Sequence, residues 1–293
     1  MKRLEQKELY LDTLQSYRVN YCEYLPNNWG GSRTVLLVHG IGSYHCTYNA
    51  LLPLLAEENY RCIALDLPNH GFSEDLAIES IHLDQFTKVL LAFIEQLQLE
   101  RIFLVGHSAG SCLLLHAQDA LLQARIDIEQ LFLLSPIGIQ RISERNKKII
   151  AALYKPAFAN RISSKSSFLR YFHEYKEAFE IHWEPIEAIV SADRDRYFNA
   201  TSAWINSIIH DYQPPTLLHF PTTVVIGRSD ILVPNKMFKE NSSPAALMED
   251  FNFEQVEWHW LESCGHLPQI EKANQIMNLI KATTYEYQYT KYL

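Results

Sequence analysis

The chain has 293 residues, of which 47% are hydrophobic and 20% are charged, the proportions of a globular protein with a sizeable core. Its formal net charge of −8 argues against a general nucleic-acid binder. No window reaches the ~18 consecutive apolar residues of a membrane span, and the basic N-terminus lacks the apolar run of a signal peptide. The five cysteines are odd in number and widely scattered, which predicts a cytoplasmic protein without a disulfide framework.

Short apolar runs alternate with helical patterns along the first half of the chain. Residues 17–25 alternate between apolar and polar side chains, which predicts an edge strand of a hairpin region. Continuous apolar runs, typical of strands buried on both faces, lie at 34–38, 61–67, 102–105 and 130–136. Apolar residues at helical spacing lie between them, at 48–58 and 81–97. This alternation predicts an α/β fold with a mostly parallel central sheet flanked by helices.

The alternation stops over residues 138–214, which contain no buried-strand pattern and are rich in helix-compatible and aromatic residues. We expect this segment to be a helical insertion into a core formed by residues 1–137 and 215–293. Between residues 141 and 176 the chain carries nine basic residues and two acidic ones. Such a patch is suited to steering an acidic partner or an anionic substrate.

A serine between two glycines, Gly106-His-Ser108-Ala-Gly110, lies where a buried strand pattern changes to a helical one. This arrangement predicts a nucleophile elbow, a turn so tight that a Cβ at either glycine would clash. The turn presents the Ser108 hydroxyl at the carboxyl end of the strand, and the positive end of the following helix lies beneath it. Ser108 is therefore the predicted nucleophile.

Free serine is a poor nucleophile at neutral pH and needs a base within hydrogen-bond reach. Of the twelve histidines, only His266 lies in a late Gly-His loop that follows a predicted strand, at 253–261. Asp230 lies in the loop after another predicted strand, at 222–226. The interval between these loops has room for a helix and a strand that bring them together. We expect Asp230 to orient His266 and to stabilise its imidazolium.

The glycine-containing loop after the strand at 34–38 is the second candidate part of the site, because ligands bind at the carboxyl ends of strands in open α/β sheets. The backbone N–H of Ile41, or alternatively that of Gly42, is one predicted oxyanion donor, and the N–H of Ala109 is the other. His39 is interpreted as a residue that fixes this loop by hydrogen bonds, in preference to a second catalytic histidine.

Four stretches in this order resemble the α/β-hydrolase family: Thr34–Gly42, Ile63–Ser73, the G-x-S-x-G stretch, and the loops of Asp230 and His266. The resemblance covers about residues 17–137 and 215–283. It implies an α/β-hydrolase fold in which 138–214 form a helical lid over the active site. It also makes Asp66 a loop-fixing carboxylate, because the family places its catalytic acid after the nucleophile. Asn69 stands where the family usually has glycine, and asparagine tolerates a left-handed backbone.

Together these residues predict a serine hydrolase that cleaves a carboxylic ester through a Ser108–His266–Asp230 triad and an acyl-enzyme. Narrower alternatives remain: a (thio)esterase on groups bound to the acidic acyl-carrier protein, similar to the pimeloyl-carrier methyl ester esterases, or a carbon–carbon bond hydrolase or perhydrolase. A non-catalytic ligand-binding protein is the alternative from another class. No metal or cofactor is expected, because H-E-x-x-H, C-x-x-C and G-x-G-x-x-G are absent. Cys264 is interpreted as a loop thiol.

Overall fold

The computed structural model describes residues 3–26, 30, 33–139, 176–232 and 256–290, together with residues 144, 147, 148, 165, 169 and 172. Its strands are β1 (Arg3–Leu11), β2 (Tyr17–Leu25), β3 (Thr34–Val38), β4 (Arg61–Leu65), β5 (Ile102–His107), β6 (Ile128–Leu134), β7 (Thr222–Gly227) and β8 (Val256–Leu261). Its helices are α1 (Leu52–Glu57), α2 (Leu83–Gln96), α3 (Ala109–Gln123), α4 (Lys176–Ala192), α5 (Arg194–His210), α6 (Pro268–Glu271) and α7 (Ala273–Thr290). Short 3₁₀ turns lie at Asp12–Leu14, His45–Tyr48 and Ile78–Ser80.

The described strands form one eight-stranded sheet in the order β1-β2-β4-β3-β5-β6-β7-β8. The β1–β2 and β2–β4 pairs are antiparallel, and all the other neighbouring pairs are parallel. The predicted α/β class and mostly parallel sheet are therefore confirmed. Because parallel strands end at the same edge, the loops after β3, β5, β7 and β8 all leave the sheet on one side, where ligands of open sheets bind.

Two apolar layers cover the sheet. In β3, Leu36 and Val38 face the layer that contains α2 and α3, whereas Val35 and Leu37 face the layer that contains α1 and α7. The alternation follows from the two-residue period of a strand. Each fully buried leucine or valine contributes about 1.5–3 kcal/mol to stability. The central strands are thus held from both faces, which gives their terminal loops a rigid base.

The N-terminal part of the sheet differs from the prediction. Residues 17–25 form strand β2, as expected, but β2 is not an edge strand because β1 pairs along its outer side. Strand β1 escaped the sequence reasoning because Leu11 alone among its residues is fully buried, and the others are polar or partly exposed. A strand stabilised mainly by backbone hydrogen bonds leaves little trace in the pattern of apolar residues.

Three local predictions have different outcomes. The tyrosine-rich tail at 285–289 alternates like a strand in sequence, but α7 continues to Thr290. The single helix predicted over 48–58 is divided into the 3₁₀ turn His45–Tyr48 and α1, with Pro53 in the first turn of α1. A helix and turn predicted over 235–250 lie outside the described residues.

The described part of the insertion consists of α4 and α5, which lie between β6 and β7 in the chain. Helix α5 is anchored in the core. Trp204 is fully buried, and its ring centroid lies 5.2 Å from those of Phe86 and His70. The Ser207 hydroxyl accepts the backbone N–H of Leu83 at 3.1 Å. The extent of the insertion, 138–214, stays a prediction, because most of residues 140–175 lie outside the described part.

Candidate active site

Ser108 lies on a strained turn between β5 and α3. Its backbone angles are φ 53° and ψ −116°, in the left-handed half of the map that L-residues rarely adopt. A Cβ on Gly106 would lie 2.8 Å from the backbone of Ser111, and one on Gly110 would overlap the carbonyl oxygen of Val38. Both flanking glycines are therefore required by close backbone packing. The turn places Ser108 at the carboxyl end of β5, directly before the first residue of α3.

Asp230 and His266 form a buried hydrogen-bonded pair. The Nδ1–H of His266 donates to Oδ2 of Asp230 at 2.7 Å, and the two residues are 4% and 3% exposed. The other carboxylate oxygen of Asp230 accepts the N–H of Leu232 at 2.8 Å. Because a carboxylate only accepts hydrogen bonds, the neutral imidazole carries its proton on Nδ1 and its lone pair on Nε2.

The loops of this pair touch each other closely. The N–H of Ser229 donates to the carbonyl of Cys264 at 2.9 Å, and a Cβ on Gly227 would overlap the carbonyl of Gly265. The N–H of Gly265 donates to the Glu271 carboxylate at 2.9 Å, which ties the loop to α6. These contacts hold Asp230 and His266 in position relative to each other although they lie in the loops after two different strands.

His107 connects the histidine loop to the elbow, and sequence reasoning missed this role. It directly precedes Ser108, and its Nε2–H donates to the carbonyl of His266 at 2.8 Å. The two imidazole centroids are 5.0 Å apart. Burial lowers the pKa of His107 well below its ordinary value, and the neighbouring His266 lowers it further. His107 is therefore neutral at pH 7 and acts as a fixed spacer between Ser108 and His266.

The predicted oxyanion donors lie where the loop after β3 meets the elbow. A Cβ on Gly40 would lie 3.0 Å from the Cβ of Ser108, so this loop packs directly against the serine. Ala109 is the first residue of α3, and the N–H groups of a first helical turn have no partner within the helix. Neither Ile41 nor Ala109 donates its N–H to another described residue. Ile41 and Ala109 therefore stay the predicted oxyanion donors.

Both ring nitrogens of His39 form hydrogen bonds with backbone groups. Its ring bonds on one side to the carbonyl of Gly40 at 2.8 Å and on the other accepts the N–H of Leu67 at 3.0 Å. Burial lowers its pKa to about 4, so the ring is neutral at pH 7. Both nitrogens are used by the backbone, which agrees with a loop-fixing residue.

Asp66 forms a second buried aspartate–histidine pair. Its carboxylate accepts the backbone N–H of His45 at 2.7 Å and the Nδ1–H of the same residue at 2.9 Å. It also accepts hydrogen bonds from the amide of Asn20 at 2.7 Å and from the N–H of Phe72 at 3.1 Å. Burial by itself raises the pKa of Asp66, but the hydrogen bonds and charge of His45 outweigh it, and the pKa lies below its ordinary value. Asp66 thus links β2, the 3₁₀ turn at His45 and its own loop after β4, whereas Asp230 faces His266.

The loop after β3, residues 39–43, carries the predicted donor Ile41 and is called the oxyanion loop below. The core-facing side of α4 covers the segment that follows this loop. Phe179, Trp183 and Ile186 cluster with Tyr44 and Cys46 of that segment. His182 lies on the same helical face, is buried, and is close enough to His107 to interact with it electrostatically. Among the described residues it has ring contact with Phe172 and no hydrogen-bond partner. The ring of Phe179 also contacts those of Phe172 and Trp183, so these three aromatic side chains pack against one another.

Buried imidazoles predict a loss of stability in mild acid. Burial lowers the pKa of His39 and His182 to about 4 and that of His70 to about 3, against ~6.5 for an unperturbed histidine. Below about pH 6.5 the unfolded chain binds protons that the folded chain does not bind until about pH 4. The free energy of unfolding therefore falls as the pH drops through this window, by roughly 1 kcal/mol per pH unit for each group.

Urea denaturation at pH 7.5, 6.5, 5.5 and 4.5 measures this dependence. His182→Leu is the matched variant, since it removes a titrating group without leaving a described hydrogen-bond donor or acceptor unpaired. It should show a shallower decline than the wild type. A urea midpoint that stays constant between pH 7.5 and 4.5 would contradict the prediction.

The structure also bears on Cys264, on metal ligands, on membrane spans and on the basic segment. Cys264 is fully buried, and burial raises the pKa of its thiol, which fits an unreactive loop residue. Within the described part of the chain no three His, Cys, Asp or Glu side chains are grouped as metal ligands. None of the described helices combines the length and hydrophobicity that a bilayer-spanning segment requires. The basic segment 141–176 lies mostly outside the described residues, so its partner stays a prediction.

Comparisons with known proteins agree with the architecture. A family model described as "Alpha/beta hydrolase family" matches residues 35–277. The chain is 28% identical over 226 residues to the "Uncharacterized hydrolase YugF" of Bacillus subtilis (strain 168), spanning 75% of this chain and 80% of that protein. It is 23% identical over 268 residues, 86% of each protein, to the 2-hydroxymuconate semialdehyde hydrolase of Pseudomonas sp. (strain CF600). The structure of the esterase EaEST from Exiguobacterium antarcticum superposes with a TM-score of 0.74 at 16% identity, covering 96% of this chain and 100% of the esterase chain.

Proposed function

This chain belongs to the alpha/beta hydrolase family, and from that premise we propose that it is a serine hydrolase that cleaves a carboxylic ester through an acyl-enzyme on Ser108. The observation that carries the proposal is the elbow at Ser108 beside the hydrogen-bonded pair of Asp230 and His266. A strained serine at a strand end, a buried base and an orienting carboxylate are the parts that acyl transfer requires.

In the proposed reaction, Nε2 of His266 takes the proton of the Ser108 hydroxyl as its oxygen attacks the ester carbonyl carbon. Asp230 stabilises the imidazolium that forms. The N–H groups of Ile41 and Ala109 hold the negative charge that develops on the carbonyl oxygen, and one such donor is worth about 2.7–4 kcal/mol of barrier. His266 then gives its proton to the departing alcohol. Water, activated by the same histidine, hydrolyses the acyl-enzyme and regenerates the serine.

The insertion forms part of this proposal as the cover of the acyl pocket. The apolar side chains of α4 contact the segment directly after the oxyanion loop, and His182 lies within electrostatic reach of His107. A cover in this position excludes water from the reacting atoms and holds the non-reacting end of the substrate. Its apolar lining favours an acyl or aryl group.

A second candidate is a carbon–carbon bond hydrolase. It is supported by the similarity, over 86% of each protein, to a relative named 2-hydroxymuconate semialdehyde hydrolase. The same serine, histidine and carboxylate serve both reactions, so the choice depends on what the pocket binds. A carrier-bound acyl group remains a narrower proposal, since the basic segment 141–176 would suit an acidic carrier protein.

The proposal is tested with a fluorophosphonate probe, whose phosphorus reacts with an activated serine. We expect one adduct on the intact wild-type protein, mapped by peptide mass analysis to Ser108. The neighbouring Ser111 serves as an internal control, because it is fully buried and its hydroxyl donates to the Gly106 carbonyl at 2.6 Å. A folded wild-type protein that gains no adduct, or gains one elsewhere, would sink the proposal and favour a ligand-binding protein.

A substrate panel then separates the candidates. Turnover is measured with enzyme that reacts with the fluorophosphonate probe. The substrates are short aryl esters, acyl thioesters, carrier-bound acyl groups and a vinylogous 1,5-diketone. The ester proposal expects the highest kcat/KM on the free esters. A higher value on the diketone would replace it with the carbon–carbon hydrolase, and a higher value on carrier-bound groups would identify the carrier protein as the partner.

A further inference from the structure

His39 fixes the start of the loop at Gly40, but the part of the loop that follows the predicted donor Ile41 has fewer contacts. Gly42 has φ 68°, a left-handed conformation that glycine adopts without strain. The turn is closed by the N–H of Ser43, which donates to the carbonyl of Gly40 at a long 3.3 Å. Because the N–H of Ile41 must be aimed within a few tenths of an ångström, a further contact at the Gly42 end of the loop would hold the donor more precisely.

That support comes from the insertion. The hydroxyl of Tyr197, in the first turn of α5, donates to the carbonyl of Gly42 at 3.0 Å across a buried contact. A Cβ on Gly42 would overlap the same hydroxyl. Gly42 is thus required both for its backbone angle and for the close approach of the phenol. The hydrogen bond restrains the peptide group between Gly42 and Ser43, two peptide groups beyond the one that carries the N–H of Ile41.

Tyr197 is itself held by contacts that do not involve the oxyanion loop. Asp193 caps α5 by accepting the N–H of Arg196 at 2.8 Å. The guanidinium of Arg196 bonds to the Asp75 carboxylate at 2.7 Å and to the carbonyl of Ser73 at 3.1 Å. The deeper turns of α5 are anchored by Trp204 in the core. The Tyr197 phenol is therefore held in position independently of the oxyanion loop to which it bonds.

From this geometry we infer that Tyr197 is a positioning residue of the hydrolase, which sets the oxyanion donor of Ile41 through the carbonyl of Gly42. The inference rests on the proposed function and deepens it. If Tyr197 has this role, the insertion helps to position the oxyanion loop in addition to its proposed role as a cover of the pocket. It also gives a physical route by which any shift of α5 would change turnover without altering Ser108, Asp230 or His266.

Tyr197→Phe tests the inference, because it keeps the ring and removes the hydrogen bond. The expected result is a roughly tenfold lower kcat with KM within about twofold, smaller than the ~10²–10³-fold cost of losing a whole oxyanion donor. A thionoester replaces the carbonyl oxygen with sulphur, a weak hydrogen-bond acceptor. The oxo-to-thiono ratio of kcat should therefore fall by about the same tenfold factor in Tyr197→Phe, a change that general damage to the fold would not produce.

Tyr17→Phe is the matched control. The Tyr17 hydroxyl is likewise buried and donates to a backbone carbonyl, that of Glu74, but it does not contact the oxyanion loop. The two variants should lose similar thermal stability, and only Tyr197→Phe should lose kcat.

Three results would overturn the inference alone: a wild-type kcat in Tyr197→Phe, a rise in KM without a fall in kcat, or equal losses on the oxo and thiono substrates. Fluorophosphonate labelling of Ser108 in the same preparations keeps this test separate from that of the proposed function. A wild-type protein that neither labels nor turns over esters would overturn both.

Discussion

Ser108→Ala is expected to lower kcat for an aryl ester by roughly 10⁵–10⁶-fold, since it removes the oxygen that would form the proposed acyl-enzyme. Residual turnover above that of water would come from the oxyanion donors and substrate binding. The substitution removes one oxygen and leaves the backbone turn in place, so the melting temperature should change by only a few degrees. Steady-state kinetics and thermal denaturation of the same preparation measure both quantities.

Ser111→Ala is the control for this prediction. Its hydroxyl is buried three residues further along α3 and bonds to the Gly106 carbonyl. It should lose some stability and keep kcat within a few-fold of the wild type. If Ser108→Ala retained more than about a hundredth of the wild-type kcat, a different nucleophile or a directly activated water would have to be sought.

Asp230→Asn is expected to lower kcat by about 10⁴-fold while leaving the protein folded. The carboxylate now accepts the Nδ1–H of His266 at 2.7 Å and so keeps the lone pair on Nε2. An amide in the same place allows the other tautomer, in which Nε2 carries the proton and cannot take one from Ser108. It also removes the negative charge that stabilises the imidazolium. The kcat–pH profile of the variant, measured between pH 6 and 9, should show partial recovery at alkaline pH as serine ionises directly.

Asp66→Asn provides an unusually close comparison, because the chain has two buried aspartates that each bond to a histidine Nδ1. Asp66 accepts four N–H donors, from Asn20 in β2, from the backbone and ring of His45, and from Phe72, and an amide oxygen cannot satisfy all of them. The variant should therefore lose several degrees of melting temperature and keep kcat per folded molecule. The reverse outcome, with loss of kcat in Asp66→Asn and retention in Asp230→Asn, would assign the catalytic acid to Asp66.

Local patterns alone were enough to predict the elbow. The two glycines around Ser108 are needed because the turn brings backbone atoms within 3 Å of where their Cβ atoms would lie. Because both glycines and the serine lie within residues 106–110, the local sequence motif reveals this steric constraint. The apolar strands were predictable for a similar reason, since burial on both faces requires a continuous apolar run such as that of β3. Polar, partly exposed β1 has no such requirement and was missed.

Contacts between distant segments required the folded chain. His107 was visible in the motif, but its hydrogen bond to His266 joins positions 159 residues apart. Tyr197 was one of many aromatic residues in the insertion, and only the packing of α5 on the core brings its hydroxyl to Gly42, 155 residues away. No spacing rule predicts such pairs, because they depend on which helix face meets which loop.

The sequence by itself determined the class of fold and the candidates for nucleophile, base and acid, because backbone sterics and strand periodicity over a few neighbouring positions indicate each of them. The tertiary structure decided which aspartate faces which histidine. It decided that α5 supports the oxyanion loop, and it decided that β1 completes the sheet. These outcomes depend on hydrogen bonds and packing between residues that are far apart in the chain. Such contacts stabilise the protein only once the chain has folded.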